Sequence, residues 1–184
     1  MIYGLPKTVE VNGAVYNIRS DYRAILDIII VLSDPELTNN ERAEAALTIF
    51  YPEFDEISPY NYQEAIEKIL WFINCGDESK QEKQPKMMDW EQDFHLIVSP
   101  INRVLGVEIR SVEYLHWWSF ISAYQEIGDC LFAQVVGIRQ KKAKGKKLDK
   151  SDQEFYRKNR NLVDFKQKYT EQDNDILDMW LGKK

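Results

Sequence analysis

Histidine and cysteine are both scarce in this chain, two of each in 184 residues. Two cysteines, Cys75 and Cys130, cannot form the multi-bridge framework of a small secreted scaffold, and their spacing suits no metal motif. They read as free thiols in a reducing cytoplasm. With only His95 and His116, zinc patterns built on paired histidines are absent. Glycine and proline are also few, 8 and 6 residues, which disfavours a many-turned β fold. Apolar runs such as Ile28–Leu32 are far too short to span a bilayer, so no membrane partner is expected. The start, MIYGLPKTVEVNG, lacks the basic region and apolar run of a signal peptide.

Catalytic signatures are missing as well. No Gly-x-Ser-x-Gly elbow occurs. Gly137 and Gly145 stand alone, and no glycine-rich phosphate loop can be drawn through them. Glu113 and His116 have the Glu-x-x-His spacing of di-iron bundles, but that site needs a second copy and two further glutamates. His95 follows Glu91 at four positions, not three. Cys130 and His116 could be drawn as a nucleophile and base, yet nothing in the spacing requires it. The expectation is a non-enzymatic protein with no cofactor and no metal.

What the chain has is helical periodicity, aromatic residues and an uneven charge distribution. A chain of this length buries about 70% of its unfolded surface, enough for a core without staples. The N-terminus predicts a β-hairpin over 8–18. TVEV and AVYNI flank Asn12-Gly13, the preferred pair for a two-residue turn, placing Val9, Val11, Ala14, Tyr16 and Ile18 on one face. From Ser20 the pattern turns helical. Ser20 or Asp21 caps a helix to about Leu32 with Tyr22, Ile25, Leu26, Ile29 and Ile30 inward. Thr38 and Glu41 form a capping box for a helix to about Phe50. Ser58-Pro59 starts another, ending at Asn74 before Gly76.

Residues 77–86 are polar throughout and read as a mobile linker. Asp89 caps a helix to about Val104, with Gln92 at the capping-box position, and Pro100 should kink or end it. Ser111 is predicted to cap a core helix ending near Gly128. Its polar stripe is Glu113, His116, Ser119, Ser122 and Gln125 or Glu126. Its other faces carry Tyr114, Trp117, Trp118, Ile121 and Tyr124. Further helices are predicted from Cys130 to about Lys142, from a Ser151–Glu154 capping box to about Asn161, and over a short amphipathic segment from Asn174 to Leu181. The expected fold is mainly α, one domain over 1–184, with the hairpin packed on helical bodies at 20–75 and 88–181.

Charge is strongly segregated. The chain carries a net −6, with a pI near 5.1. Yet residues 139–168 hold 12 Lys/Arg against 4 Asp/Glu, a net of +8, which leaves −14 on the remainder. A basic segment on an acidic body points to an acidic partner or to the protein's own acidic surface. Arg139, Lys141, Lys142, Lys144, Lys146 and Lys147 are the candidate partner-binding residues. The 139–158 tract, with Phe155 and Tyr156 nearby, also has the look of a nucleic-acid footprint. An acidic pI and the lack of a recognised fold motif count against that alternative.

The stretch EYLHWWSFISAYQEIGDCLFAQVVGIRQKKAKGKKLDKSDQEFYRKNRNLVDFK, residues 113–166, resembles the bacteriophage gene-product-fifteen family of long-tailed phages and prophages of Gram-positive bacteria. The hairpin, DYRAILDI, and MDWEQDF with NRVLG extend the resemblance over nearly the whole chain. Members lie in tail gene clusters near tail-tube and tape-measure genes. The resemblance implies a tail morphogenesis protein in the host bacterial cytoplasm, a tail assembly chaperone that escorts the tape-measure protein. The tail-tube protein is a further candidate partner, and self-association stays open. A structural tail component retained in the virion is the other reading in that context.

Overall fold

The computed structural model describes residues 4–77 and 85–166. Strands β1 (Thr8–Val11) and β2 (Ala14–Asn17) form an antiparallel hairpin in which Val11 faces Ala14. Asn12 and Gly13 both take positive φ, 48° and 77°, as a tight primed turn requires. Val9, Val11 and Ile18 are buried and Tyr16 half-buried, whereas Ala14, beside the turn, is exposed against expectation.

Eight α-helices follow among the described residues. Asp21 caps α1 (Tyr22–Leu32) through Arg23 N–H, and Tyr22, Ile25, Leu26 and Ile28 are buried. Ile29 and Ile30, expected inward, are only half-buried. Thr38 and Glu41 form the predicted capping box of α2 (Asn39–Phe50). Two 3-10 turns, at Phe54–Glu56 and Pro59–Asn61, precede α3 (Tyr62–Ile73), so the helix starts later than its Ser-Pro signal. The hairpin rests against α3 by way of β1, and Asn12 N–H donates to the Glu64 carboxylate at 3.1 Å.

Asp89 caps α4 (Trp90–Leu105) by accepting from Gln92 N–H. Pro100 lies inside α4 but does not end it. An interior proline costs about 3 kcal/mol, and here its ring is buried in the core. The partner that returns to the Asp89 N–H is Asp93, at 2.9 Å, rather than Gln92. Gln92 instead reaches Asp164 O and Lys166 N.

The largest departure concerns the tryptophan helix. α5 spans Trp117–Gln125 and is capped by His116, not Ser111. Residues 114–117 run alongside 20–22: Tyr22 N–H donates to Leu115 O, Trp117 N–H to Ser20 O, and Leu115 N–H to the Asp21 carboxylate. These bonds satisfy backbone groups that a longer helix would have paired internally. Glu113 and His116 therefore do not share a helical face.

The two tryptophans have separate environments but one task. Trp117 is buried and Trp118 half-buried. Trp117 Nε1–H donates to Ile73 O and Trp118 Nε1–H to Phe72 O, each at 2.9 Å. They thus bond carbonyls of the last turn of α3: Ile73 O, and Phe72 O, which also accepts from Cys75 N–H. Trp117 also stacks with Phe120, which stacks with Tyr22 at 4.7 Å. These rings join α1 and α5 in the main core, and Trp90 and Phe94 bring α4 against them.

Cys130 caps α6 (Leu131–Ala143), close to the predicted span. Asp149, not Ser151, caps α7 (Lys150–Lys158), with Asp152 closing the capping box. The chain breaks at Asn159, and α8 (Arg160–Val163) is a separate turn. Val135, Ile138 and Val163 form a second, smaller apolar cluster with Leu148, Phe155, Tyr156 and Leu162 around it. Most of the predicted linker and the predicted helix at 174–181 lie outside the described residues. No described helix is long and apolar enough to cross a membrane.

Candidate interaction surface

The six candidate residues separate into three environments. Arg139 is buried, 4% exposed, on the inward side of α6 beside Val135 and Ile138. Its guanidinium meets Asp93 through two bonds, Nη1 to Oδ2 at 2.6 Å and Nη2 to Oδ1 at 2.9 Å. It also donates to the carbonyls of Val163, Leu162 and Met87. Its face lies 4.1 Å from the Phe165 ring centroid. With its donors spent inside the fold, Arg139 cannot dock a partner, and the expectation for it is corrected. It is a staple that ties α6 and α8 to the first turn of α4.

Lys141 and Lys142 have internal partners. Lys141 pairs with Asp152 at the start of α7, and that hydrogen bond holds the Asp152 carboxyl below the ordinary carboxylate range. Lys142 pairs with Asp164 at 2.6 Å and lies over the Tyr156 ring. Partial burial works against the Asp164 charge, but bonds from Lys142, Tyr156 and Arg160 outweigh it and keep its pKa low. Tyr156 is thereby committed to Asp164, with its hydroxyl 2.8 Å from Oδ2. Phe155 packs in the small cluster. The aromatic pair is therefore not laid out as a base-stacking platform, which such a nucleic-acid surface would need.

Lys144, Lys146 and Lys147 are exposed and form no ion pair among the described residues. They occupy the connection between α6 and α7, as does Lys150 at the α7 start. Lys144 caps the C-terminal end of α6, where cations interact favourably with the helix dipole. The connection is short and anchored on both sides, by Arg139 before it and by Asp149, the α7 cap, after it. The result is a fixed, positively charged protrusion.

Sequence reasoning missed the Arg139–Asp93 pair. A signal was present: Asp93 shares a stripe with Ile97 and Ile101, and Arg139 shares one with Phe132 and Val135. Each is a charge on a face that is otherwise apolar. His116 was read as a surface residue, yet it is 2% exposed. Its Nδ1 accepts from Trp118 N–H and its Nε2 lies 2.9 Å from Pro6 O, an arrangement that suits the neutral ring. Burial pushes its pKa down. Cys130 Sγ serves as a cap acceptor for Ala133 N–H. Among the described residues, no group of three or more His, Cys, Asp or Glu could hold a metal ion.

A family model described as Bacteriophage Gp15 protein matches residues 1–165. The chain belongs to the bacteriophage Gp15 family. The match covers the hairpin, α1–α8 and the lysine-rich connection. No curated protein and no solved structure matches the chain.

Proposed function

We propose that this Gp15 protein acts in phage tail morphogenesis as a non-enzymatic assembly chaperone that holds the tape-measure protein through protein–protein contacts. The observation that carries the reading is membership of the family over 1–165, together with a protrusion whose three lysines form no ion pair among the described residues. An acidic helical segment of the client is the complementary partner, and electrostatic attraction would speed its capture and orient it. Lys144, Lys146 and Lys147 dock the partner, and Lys141 and Lys142 hold the connection in shape. The chain works as one domain, with Arg139 and Asp93 joining its two apolar clusters. Its site of action is the cytoplasm of the infected host.

The test is co-expression with the tape-measure protein of the same tail cluster, followed by size-exclusion chromatography with light scattering. A co-eluting complex that keeps the tape measure soluble is expected. A tape measure that still aggregates, with this protein eluting alone, overturns the reading. Mass spectrometry of purified virions separates a chaperone, which is absent from the particle, from a retained tail component.

A further inference from the structure

We infer that the groove between β1 and α3 is the receptor for the lysine-rich α6–α7 connection of a second copy of this chain. The groove has a cavity volume of about 770 Å³ and is bordered by Thr8, Val9 and Glu10 on one side and by Glu64, Glu67 and Trp71 on the other. Its strand side is an open sheet edge. Ile18 N–H donates to Lys7 O, and the register pairs Val9 with Tyr16 and Val11 with Ala14. Hydrogen-bonded and non-hydrogen-bonded pairs alternate along an antiparallel ladder, so the backbone groups of Thr8 and Glu10 point away from β2. Such an edge is a template for another chain. The helix side offers apolar surface, with Leu70 45% exposed and Trp71 half-buried.

The charge of the groove selects its occupant. Glu10, Glu64 and Glu67 form no ion pair among the described residues, and among the described residues lining the groove Lys68 is the one cation. The outward carbonyls and these carboxylates accept, and the outward N–H groups of Thr8 and Glu10 donate. A lysine-rich segment supplies three donors on each ammonium for the acceptors and its own backbone carbonyls for the edge N–H groups. Among the described residues, the densest supply of exposed ammonium groups without an ion pair is Lys144, Lys146, Lys147 and Lys150. Within one molecule they make no ion pair with the groove. The complementary contact therefore runs between copies. Groove and connection are different surfaces, so the contact is head-to-tail, and it closes as a ring or continues as an open array.

The inference does not depend on the tail-assembly reading and is tested on the isolated full chain. Sedimentation velocity over a range of concentrations, at about 0.05 M and about 0.5 M sodium chloride, reads the association and its screening. The expected result is mass that rises with concentration at low salt and falls back towards monomer at high salt. Two charge-reversed variants, Glu64→Lys/Glu67→Lys and Lys144→Glu/Lys146→Glu/Lys147→Glu, should each weaken association at least about tenfold, since like charges then face each other. Mixing the two variants should restore it, because each supplies the surface the other has lost. Circular dichroism and the unfolding midpoint establish that both variants are folded. A parent that stays monomeric at low salt overturns the inference. So do folded variants that associate as the parent does, or a mixture that fails to recover.

Discussion

Two side chains show how little the local sequence says about a charge that has been taken out of water. Asp93 and Arg139 lie 46 positions apart and meet with side chains 0% and 3% exposed. Removing one member of a buried pair leaves the other uncompensated, at a cost of about 3–5 kcal/mol. Asp93→Ala is therefore expected to destabilise by about that amount in urea unfolding. Arg139→Met in the Asp93→Leu background should recover part of the loss, since a well-packed apolar pair avoids the desolvation cost. An Asp93→Ala variant as stable as the parent would refute the staple.

His116 supplies a pH dependence. Burial is the main cause of its lowered pKa, the Lys7 ammonium adds to it, and the contact with Pro6 O opposes it. The folded state thus prefers the neutral ring, and Nδ1 must stay unprotonated to accept from Trp118 N–H. The unfolded ring titrates at its ordinary value of 6.5. Below that value the unfolded state takes up a proton first, and stability falls as the pH drops towards the folded pKa. Above it, this contribution is complete and flat. Denaturant midpoints measured from neutral pH downwards should fall in this window for the parent, and the fall should be reduced in His116→Asn. Equal slopes would assign the acid sensitivity to other groups.

At the scale of elements, the legible parts were those set by contacts within a few residues. The Asn12-Gly13 turn, the Thr38–Glu41 box and the Asp21 and Asp89 caps are all short-range signals, and each appears where its residues stand. The helix start at Ser111 failed because residues 20–22 claim the backbone of 114–117 from about 94 positions away. No local pattern carries that pairing. The α7 cap went to Asp149 over Ser151, a contest between two good cap residues that Lys141 resolves by holding Asp152.

Gly76 ends α3 for a reason that only the fold shows. Its φ is +85°, and a Cβ there would sit 3.4 Å from Trp118 Cη2 and 3.6 Å from Trp71 Cζ2. Those distances are ordinary van der Waals contact, so the demand for glycine comes from the left-handed backbone, with the two indoles packed directly beside it. Gly76→Ala is expected to cost at least about 1–2 kcal/mol, the backbone penalty of the left-handed region alone, and to alter tryptophan fluorescence. An alanine variant with unchanged stability and spectrum would show that the turn relaxes without disturbing the two rings.

Over the whole molecule, charge and structure divide the labour of the basic tract. Of the residues that looked alike as a charged string, Arg139 went inside, Lys141 and Lys142 brace the α6–α8 unit, and Lys144, Lys146 and Lys147 remain outside. The string could not show this, because burial of Arg139 depends on Asp93 in a distant helix. The division makes opposed predictions. Reversing Lys144, Lys146 and Lys147 to Glu breaks no ion pair among the described residues. It gives up only the helix-dipole interaction of Lys144, ~0.3–1 kcal/mol at an exposed site. The new carboxylates are attracted to Lys141, Lys142 and Lys150 nearby, which offsets that loss, so stability should stay within about 0.5 kcal/mol of the parent. Co-purification with the tape-measure protein should nevertheless be lost, and in the parent it should weaken as salt rises. The groove variant Glu64→Lys/Glu67→Lys keeps these lysines. Retention of the client by that variant, with loss in the lysine variant, would assign client docking to the protrusion itself. Loss in both would mean that the groove carboxylates take part in holding the client alongside the lysines.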